Sequence, residues 1–433
     1  MTLDEAFTGL ADPRTGPAQR HDLREMILMA LCAVLCGADT WVDVAEWAED
    51  NESWLRRYLV LAHGTLSHDT FGRVFRVLDA TVFEQCFRSW VSRLVGVVDG
   101  VVALDGKTDC GSRDGENTEL HMVSALATAS GLCLGQEGTR GKGNEIAAIK
   151  ALLDTLTLKG CIVTIDAIGC QTEIAQQIVE RGGDYLLAVK DNQGKLADAL
   201  RAFFAEADAG GFGTLPVSRY ETVEKDHGRI ETRSAWWVSD LAWLDRPIRQ
   251  HWPKLAGVGM VERSRKIDGR TSTERAFYIG SKGIANAEAF ALAARSHWGV
   301  ENRLHWVLDV TFREDDCRVR KGHAPQNLSA LRKFALSLLR QDTQYPKRSL
   351  RSRRKTADRL PNYRASLLRL VPLGQMRIPC AAQQGAIRRL ASPQFRGITC
   401  LQSDNTRQEL KCLSASTSSW RRSSSRRWPT TPC

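Results

Sequence analysis

Three acidic residues stand where carboxylates could bind metal ions. Two apolar runs each end in an aspartate, Asp105 in ALDGK and Asp166 in TIDAIGCQ, while Glu301 lies in a predicted helix. At helical spacing Glu301 shares a face with Phe290 and Leu304, and an unpaired carboxylate on such a core-facing stripe is costly. Carboxylates are the hard oxygen ligands that Mg²⁺ or Mn²⁺ prefers. Two such ions about 4 Å apart can activate a water or a 3′-hydroxyl for in-line displacement at a phosphodiester.

Each acid also has a purely structural interpretation. Aspartates at strand ends are commonly turn residues or helix caps, and the neighbouring Gly106 and Gly169 suit a turn. Glu301 could pair with Arg295 or Arg303 on its own helix. The three acids are more informative together, because carboxylates held close to one another repel unless cations lie between them.

Polar residues near the acids suggest further roles. His297 and His305 flank Glu301 at the spacing of a zinc pair, but the sequence is not HExxH, so we do not predict zinc. Three lysines near the predicted strand ends could bind phosphate or be ordinary surface residues: Lys107, Lys142 and Lys190. The sequence contains no GxxxxGK phosphate loop, dinucleotide fingerprint or Ser/His/Asp motif.

The pattern around the aspartates predicts a mixed α/β sheet that would bring their strand ends together. We predict strands at 101–104, 121–128, 132–136, 161–165 and 185–189, and helices at 144–156 and 171–181. The first three strands have short links, typical of antiparallel pairing, and the last two alternate with helices. This element order is the one expected of a ribonuclease H-like sheet flanked by helices, and ligand chemistry gathers at the strand ends of such sheets.

The rest of the chain divides by its composition. We predict an N-terminal helical domain at 1–96 and a catalytic core in two parts, at 97–200 and 286–345. A β-rich insertion at 201–285 separates the two parts of the core, and a basic arm with a low-complexity tail follows at 346–433. In the first domain the helix at 69–78 carries Arg73 and Arg76, and it could be a helix-turn-helix recognition element or a small packing module. We expect the polar, aperiodic tail to be disordered.

Charge is unevenly distributed along the chain of 433 residues, whose formal net charge is +10. Residues 322–433 hold 22 Lys and Arg against 4 Asp and Glu, whereas residues 1–321 hold 38 against 46. Such a basic part often binds a polyanion, most often nucleic acid, although a solvated basic tail without a ligand has the same composition. The 12 cysteines form no CxxC pair, which predicts a reducing compartment. The apolar run 26–38 is too short to span a bilayer, so we expect no membrane association.

Several longer stretches resemble one family closely. These stretches, in order, are LCAVLCGADTWVDVAEW, SHDTFGRVFRVLD, ALDGKT, TIDAIGCQTEIAQQIVERGGDYLLAVKDNQG, HGRIETR and RSHWGVENRLHWVLDVTFREDDCRVR. Together they resemble the H-repeat-associated family of bacterial insertion-sequence DDE transposases, from residue 12 to about residue 370. The tail beyond about residue 374 matches nothing typical of that family.

The resemblance implies a site, a reaction and a setting. Asp105, Asp166 and Glu301 would be the catalytic triad that binds two Mg²⁺, or Mn²⁺, in a ribonuclease H-like core. The partner would be double-stranded DNA, bound by a homodimer that pairs two element ends, in the bacterial cytoplasm at the nucleoid. Four further polar residues could support the ligands or contact DNA, or be ordinary residues of a solvated face: Arg295, Asn302, His305 and Asp309. Alternatives are a decayed remnant that only binds DNA, or a nuclease that does not join strands.

Overall fold

A 9-stranded mixed sheet runs through the computed structural model, which describes residues 3–95, 98–113, 118–210, 212, 217–226, 229–267 and 270–370. The strands are β1 Gly100–Asp109, β2 Leu120–Ala127, β3 Leu132–Arg140, β4 Cys161–Ile165, β5 Asp184–Val189, β6 Val217–Asp226, β7 Arg229–Val238, β8 Gly257–Ile267 and β9 Arg270–Gly280. Their order across the sheet is β3-β2-β1-β4-β5-β9-β8-β7-β6. The described residues end at residue 370, so the tail predicted from about residue 374 lies outside them.

Helices cover the sheet and form the N-terminal part of the chain. They are α1 Leu3–Ala6, α2 Leu23–Cys36, α3 Trp41–Asp50, α4 Glu52–Leu55, α5 His68–Val77, α6 Ala80–Val95, α7 Glu145–Leu153, α8 Thr172–Glu180, α9 Gly194–Ala209, α10 Arg246–His251, α11 Ala287–His297, α12 Trp306–Phe312, α13 Ala324–Arg340, α14 Leu350–Arg359 and α15 Pro361–Leu368. Every residue from Asn327 to Leu339 of α13 is buried. This helix packs against α2, α5, α6 and β3, so it joins the N-terminal helices to the sheet.

The ribonuclease H-like part of the sheet is confirmed. β1, β2 and β3 pair antiparallel, as their short links predict, whereas β1 with β4 and β4 with β5 pair parallel. In the parallel register Leu104 of β1 lies beside Ile165 of β4. Asp105 and Asp166, the next residues, therefore lie side by side where β4 ends.

Four further strands extend this sheet rather than standing apart from it. β9 joins β5 antiparallel, with Leu186 opposite Gly280, and β8, β7 and β6 follow in antiparallel pairs. The half of β9 that lies away from β5 is exposed, since the burial of apolar side chains ends where the core ends. The β-rich content predicted for 201–285 is present in β6 to β9, while the domain boundaries remain predictions.

Polar residues mark where the N-terminal helices begin and break. Asp22 caps α2 by accepting hydrogen bonds from the backbone N–H groups of Arg24 and Glu25. The chain is broken at Asn51 into two helices, α3 and α4. Among the described residues no single helix is long and apolar enough to cross a membrane, and one pair bent by 97°, α2 with α3, passes that test only together.

The helix predicted to carry Glu301 is also interrupted. Asn286 caps α11, where its side chain accepts a hydrogen bond from the backbone N–H of Ala289. The helix ends at His297 and a π-helical turn over Glu301–His305 leads into α12, with the Trp306 N–H donating to the Glu301 carbonyl. A π turn holds an extra residue, so it rotates the side chains that follow it and is frequent at functional sites.

Candidate metal centre

Asp105 lies on the face of the sheet that α11 covers. Ala103 and Thr164 are register partners on β1 and β4, and the Thr164 hydroxyl lies 3.2 Å from His297 Nδ1 on α11. Since side chains alternate along a strand, Asp105 and Asp166 share this face. Burial raises the pKa of Asp105 to about 6; His305 opposes the rise, and the carboxylates of Asp166 and Glu301 add to it. A cation at this site would relieve that repulsion.

Asp166 lies at the end of β4 and also acts as a helix cap, which is the structural interpretation given for it from the sequence. Its Oδ1 accepts a hydrogen bond from the Ile168 N–H at 3.2 Å, at the start of the short 3₁₀ turn Ala167–Gly169. Gly169 permits this turn, because a Cβ there would lie 2.2 Å from Ile165 Cγ2. Burial, followed by the nearby carboxylate of Glu145, raises the pKa of Asp166.

Glu301 is not buried in the core, contrary to the prediction from its helical stripe. Its side chain is 58 % exposed, and it begins the π turn Glu301–His305, so it does not lie on the buried stripe that a regular helix would give. Its partner is neither Arg295 nor Arg303: Glu301 Oε2 lies 3.1 Å from His305 Nδ1. This hydrogen bond holds the pKa of Glu301 below its usual value, against the effect of burial.

Asp105, Glu301 and His305 form a compact set of ligand atoms. One carboxylate oxygen from each acid and one ring nitrogen lie within 4.8 Å of one another, and His305 Nδ1 is 3.5 Å from Asp105 Oδ2. Two carboxylates and an imidazole suit a divalent transition metal or Mg²⁺. The chain therefore places two of the three predicted acids at ligand distance from each other. Asp166 stands at the adjacent strand end, outside this set.

The arginines beside Glu301 have other partners. Arg295 forms an ion pair with Glu224 of β6 at 2.6 Å, which ties α11 to the edge of the sheet. Arg303 donates to the carbonyl of Thr128 in the β2–β3 turn. Asn302 is exposed, whereas His305 is only 3 % exposed, so of these two residues only Asn302 is at the surface where DNA could reach it.

Lys107 is surrounded by acids instead of facing solvent. Its Nζ contacts the carboxylates of Asp309 on α12, Asp315 at 3.0 Å and Glu314 at 3.4 Å. Burial lowers the pKa of Lys107, but these carboxylates, Glu314 foremost, outweigh burial and raise it. A lysine paired in this way is not available to phosphate, so the geometry does not support the phosphate role predicted for it. Lys107 instead fastens the strand of Asp105 to the helix that follows Glu301.

The other predicted DNA contacts lie at the surface or outside the description. Lys190 is exposed directly after β5, and its charge opposes part of the rise in the pKa of Asp166. Arg73 and Arg76 are exposed on α5, whose opposite face is buried through Phe71 and Phe75. The side chain of Lys142 lies outside the described residues.

A buried pair behind β1 was not predicted. His121 Nε2 lies 3.1 Å from Glu145 Oε2, and His121 Nδ1 lies 3.1 Å from the Thr108 hydroxyl. Gly106 leaves room for the pair, because a Cβ at Gly106 would lie 2.4 Å from His121 Nε2. Neither residue stands in a recognisable motif, whereas the spacing of His305 from Glu301 was visible and pointed to a shared helix face.

Comparison with known proteins identifies the family. Residues 70–338 match the family described as Transposase DDE domain, and residues 5–91 match the one described as DDE_Tnp_1-associated. The chain belongs to the DDE transposase family, of the insertion-sequence type that the sequence resemblance indicated. Membership implies dependence on a divalent metal ion and binding to DNA.

Relatives from two bacteria support this assignment. The chain is 37% identical over 373 residues to the H repeat-associated putative transposase YhhI of Escherichia coli (strain K12), which covers 84% of this chain and 97% of the relative. It is 37% identical over 346 residues to putative transposase YncI of Escherichia coli O157:H7, covering 78% and 87%. It is 43% identical over 280 residues to an uncharacterized protein in the dhlA 3′ region of Xanthobacter autotrophicus, covering 64% and 92%.

Proposed function

We propose that this chain cuts DNA at the ends of a bacterial insertion sequence and joins those ends to target DNA. The proposal depends on one observation: carboxylate oxygens of Asp105 and Glu301 lie within 4.8 Å of each other, beside the strand end that bears Asp166. These acids are far apart in sequence, and the fold brings them together beside β1 where β4 ends. Asp105, Asp166 and Glu301 would hold two Mg²⁺, or Mn²⁺, ions.

The chemistry follows from in-line phosphodiester displacement. Bound divalent ions lower the pKa of a water and stabilise the departing oxygen. In the first step the water oxygen bonds to phosphorus, the bond from phosphorus to the 3′-oxygen breaks, the water proton passes to solvent, and the departing 3′-oxygen takes up a proton. The freed 3′-hydroxyl then gives its proton to solvent, bonds to the phosphorus of a target phosphodiester and displaces a 3′-oxygen there, which is protonated in turn. Asp105, Asp166 and Glu301 would hold the ions that orient both nucleophiles.

A basic surface beside the site supports DNA binding. The backbone N–H of His323 donates to the Arg76 carbonyl at 3.1 Å, so the loop after α12 lies against α5. Five exposed cations make up this basic surface: Arg73, Arg76, Arg318, Arg320 and Lys321. Phosphate contacts from such residues give affinity without sequence specificity and weaken steeply with salt. We propose that the basic surface holds the DNA backbone and that a homodimer pairs the two element ends, at the nucleoid.

The test uses the full chain with labelled duplex DNA that carries the natural ends of its own element. With Mg²⁺, the wild type should release 3′-hydroxyl ends and transfer them to a target plasmid, whereas Asp105→Asn should do neither while still binding DNA. Cleavage without transfer would instead support a metal-dependent nuclease. DNA binding with no cleavage in any divalent metal ion would support a decayed remnant and overturn the proposal.

A further inference from the structure

His305 lies between the two carboxylates of the candidate metal centre. Its Nδ1 is 3.1 Å from Glu301 Oε2 and 3.5 Å from Asp105 Oδ2. The side chain is 4% exposed, and its Nε2 has no hydrogen-bond partner among the described residues. The contacts of this buried imidazole with the two acids are therefore made by Nδ1 alone.

A metal ion between the nitrogen and the acids would satisfy more of these groups than the hydrogen bond to Glu301 does. The Nδ1 lone pair of a neutral imidazole and the lone pairs of two carboxylates repel one another at these distances. A proton on Nδ1 satisfies one carboxylate, since one N–H points along one direction. A metal ion can be shared by all three groups, and the three ligand atoms already lie within 4.8 Å of one another.

We propose that His305 Nδ1 is the third protein ligand of the ion that Asp105 and Glu301 share. The inference rests on the proposed metal centre and adds a nitrogen donor to a set predicted to be carboxylates alone. Imidazole is a ligand of transition-metal ions, whereas Mg²⁺ prefers oxygen. A nitrogen donor at this position is therefore expected to strengthen the preference for a transition-metal ion such as Mn²⁺ over Mg²⁺, relative to a site of carboxylates alone.

The neighbouring histidine provides a matched control. His297 lies on α11, on the other side of Glu301 in sequence, and its Nδ1 is 3.2 Å from the Thr164 hydroxyl. It is not part of the ligand set of Asp105, Glu301 and His305. Both imidazoles are substituted with glutamine, so the two variants compare the loss of a ring that contacts the acids with the loss of one that contacts Thr164.

The experiment is pulsed electron paramagnetic resonance of Mn²⁺ added to the full chain without DNA, which reports a directly bound ¹⁴N nucleus. We expect ¹⁴N coupling in the wild type and in His297→Gln, and its loss in His305→Gln. Mn²⁺ affinity should also fall by about tenfold or more in His305→Gln and in a second variant, His305→Asn. Circular dichroism verifies that each variant is folded.

The possible failures separate the inference from the proposed function. Bound Mn²⁺ without ¹⁴N coupling in the wild type would overturn the inference, and persistent Mg²⁺-dependent cleavage would then leave the proposed function standing. Coupling that survives in His305→Gln would also overturn it. If the wild type binds no Mn²⁺ and cleaves no DNA with Mg²⁺, the inference and the proposed function fall together.

Discussion

Replacing Lys107 with methionine should destabilise the protein through the acids left behind. The change keeps most of the side-chain volume and removes the ammonium that contacts Asp309, Glu314 and Asp315. Removing one partner of a fully buried ion pair costs about 3–5 kcal/mol. Here the side chains of Asp309 and Asp315 are 30% and 47% exposed and can regain water, which reduces the cost.

Glu314 accounts for most of the stability that Lys107→Met is expected to lose. Its side chain is 5% exposed, but Arg332 lies 3.8 Å away and continues to neutralise it. We therefore expect a loss of about 2 kcal/mol in the free energy of unfolding, below the cost of breaking a fully buried pair. Urea unfolding followed by tryptophan fluorescence measures the loss from the midpoint and slope.

A double-mutant cycle with Asp309→Asn assigns the loss to the contact. The two changes should couple by about 1 kcal/mol, whereas the exposed control Lys282→Met should change stability by less than about 0.5 kcal/mol. DNA cleavage should fall in Lys107→Met as well, because the contact holds the Asp105 strand against the helix that follows Glu301. A Lys107→Met variant as stable as the control, or one without coupling to Asp309, would refute this account of the fold around the site.

Two further predictions concern packing and pH. A Cβ at Gly111 would lie 1.8 Å from the backbone oxygen of Cys317, so Gly111→Ala should destabilise the folded protein by about 2–3 kcal/mol. A Cβ at Gly143 would meet open space, so Gly143→Ala should leave stability unchanged. Equal thermal midpoints for the two variants would contradict this. Burial raises the pKa of Glu84 to about 8 from its ordinary 4.5, so the folded state binds the proton more tightly and stability should fall as pH rises through that interval. Glu84→Gln still accepts from the Gln136 N–H, 2.8 Å from Glu84 Oε1, and should gain on the wild type as pH approaches 8; parallel pH profiles would contradict it.

The sheet and the positions of Asp105 and Asp166 at strand ends could be predicted because short stretches of sequence indicate them. Apolar runs mark the buried strands, and the parallel register that sets Asp105 beside Asp166 follows from the order of strands and helices. The cap formed by Asp166 was also one of the stated alternatives, because aspartate before a tight turn has a local reason to bond the backbone.

The surroundings of Glu301 and Lys107 could not be predicted in the same way. A π turn is not marked by residue preference, so a regular helix placed Glu301 on a buried stripe that it does not occupy. Lys107 has its acids on a segment more than two hundred positions away, and the sequence alone gives no distance between them. Its phosphate role seemed plausible only while those partners were unknown.

The central claim is that Glu301 completes a metal centre with Asp105, and one comparison tests it most directly. Mg²⁺-dependent cleavage of DNA carrying the element ends is measured for the wild type, for Glu301→Gln and for Glu288→Gln, a matched change at an exposed glutamate in the first turn of α11. We predict activity in the wild type and in Glu288→Gln, and a loss of at least about a hundredfold in Glu301→Gln, since one lost ligand removes about 3 kcal/mol of transition-state stabilisation. Equal cleavage by all three proteins would contradict the claim and exclude Glu301 as a ligand.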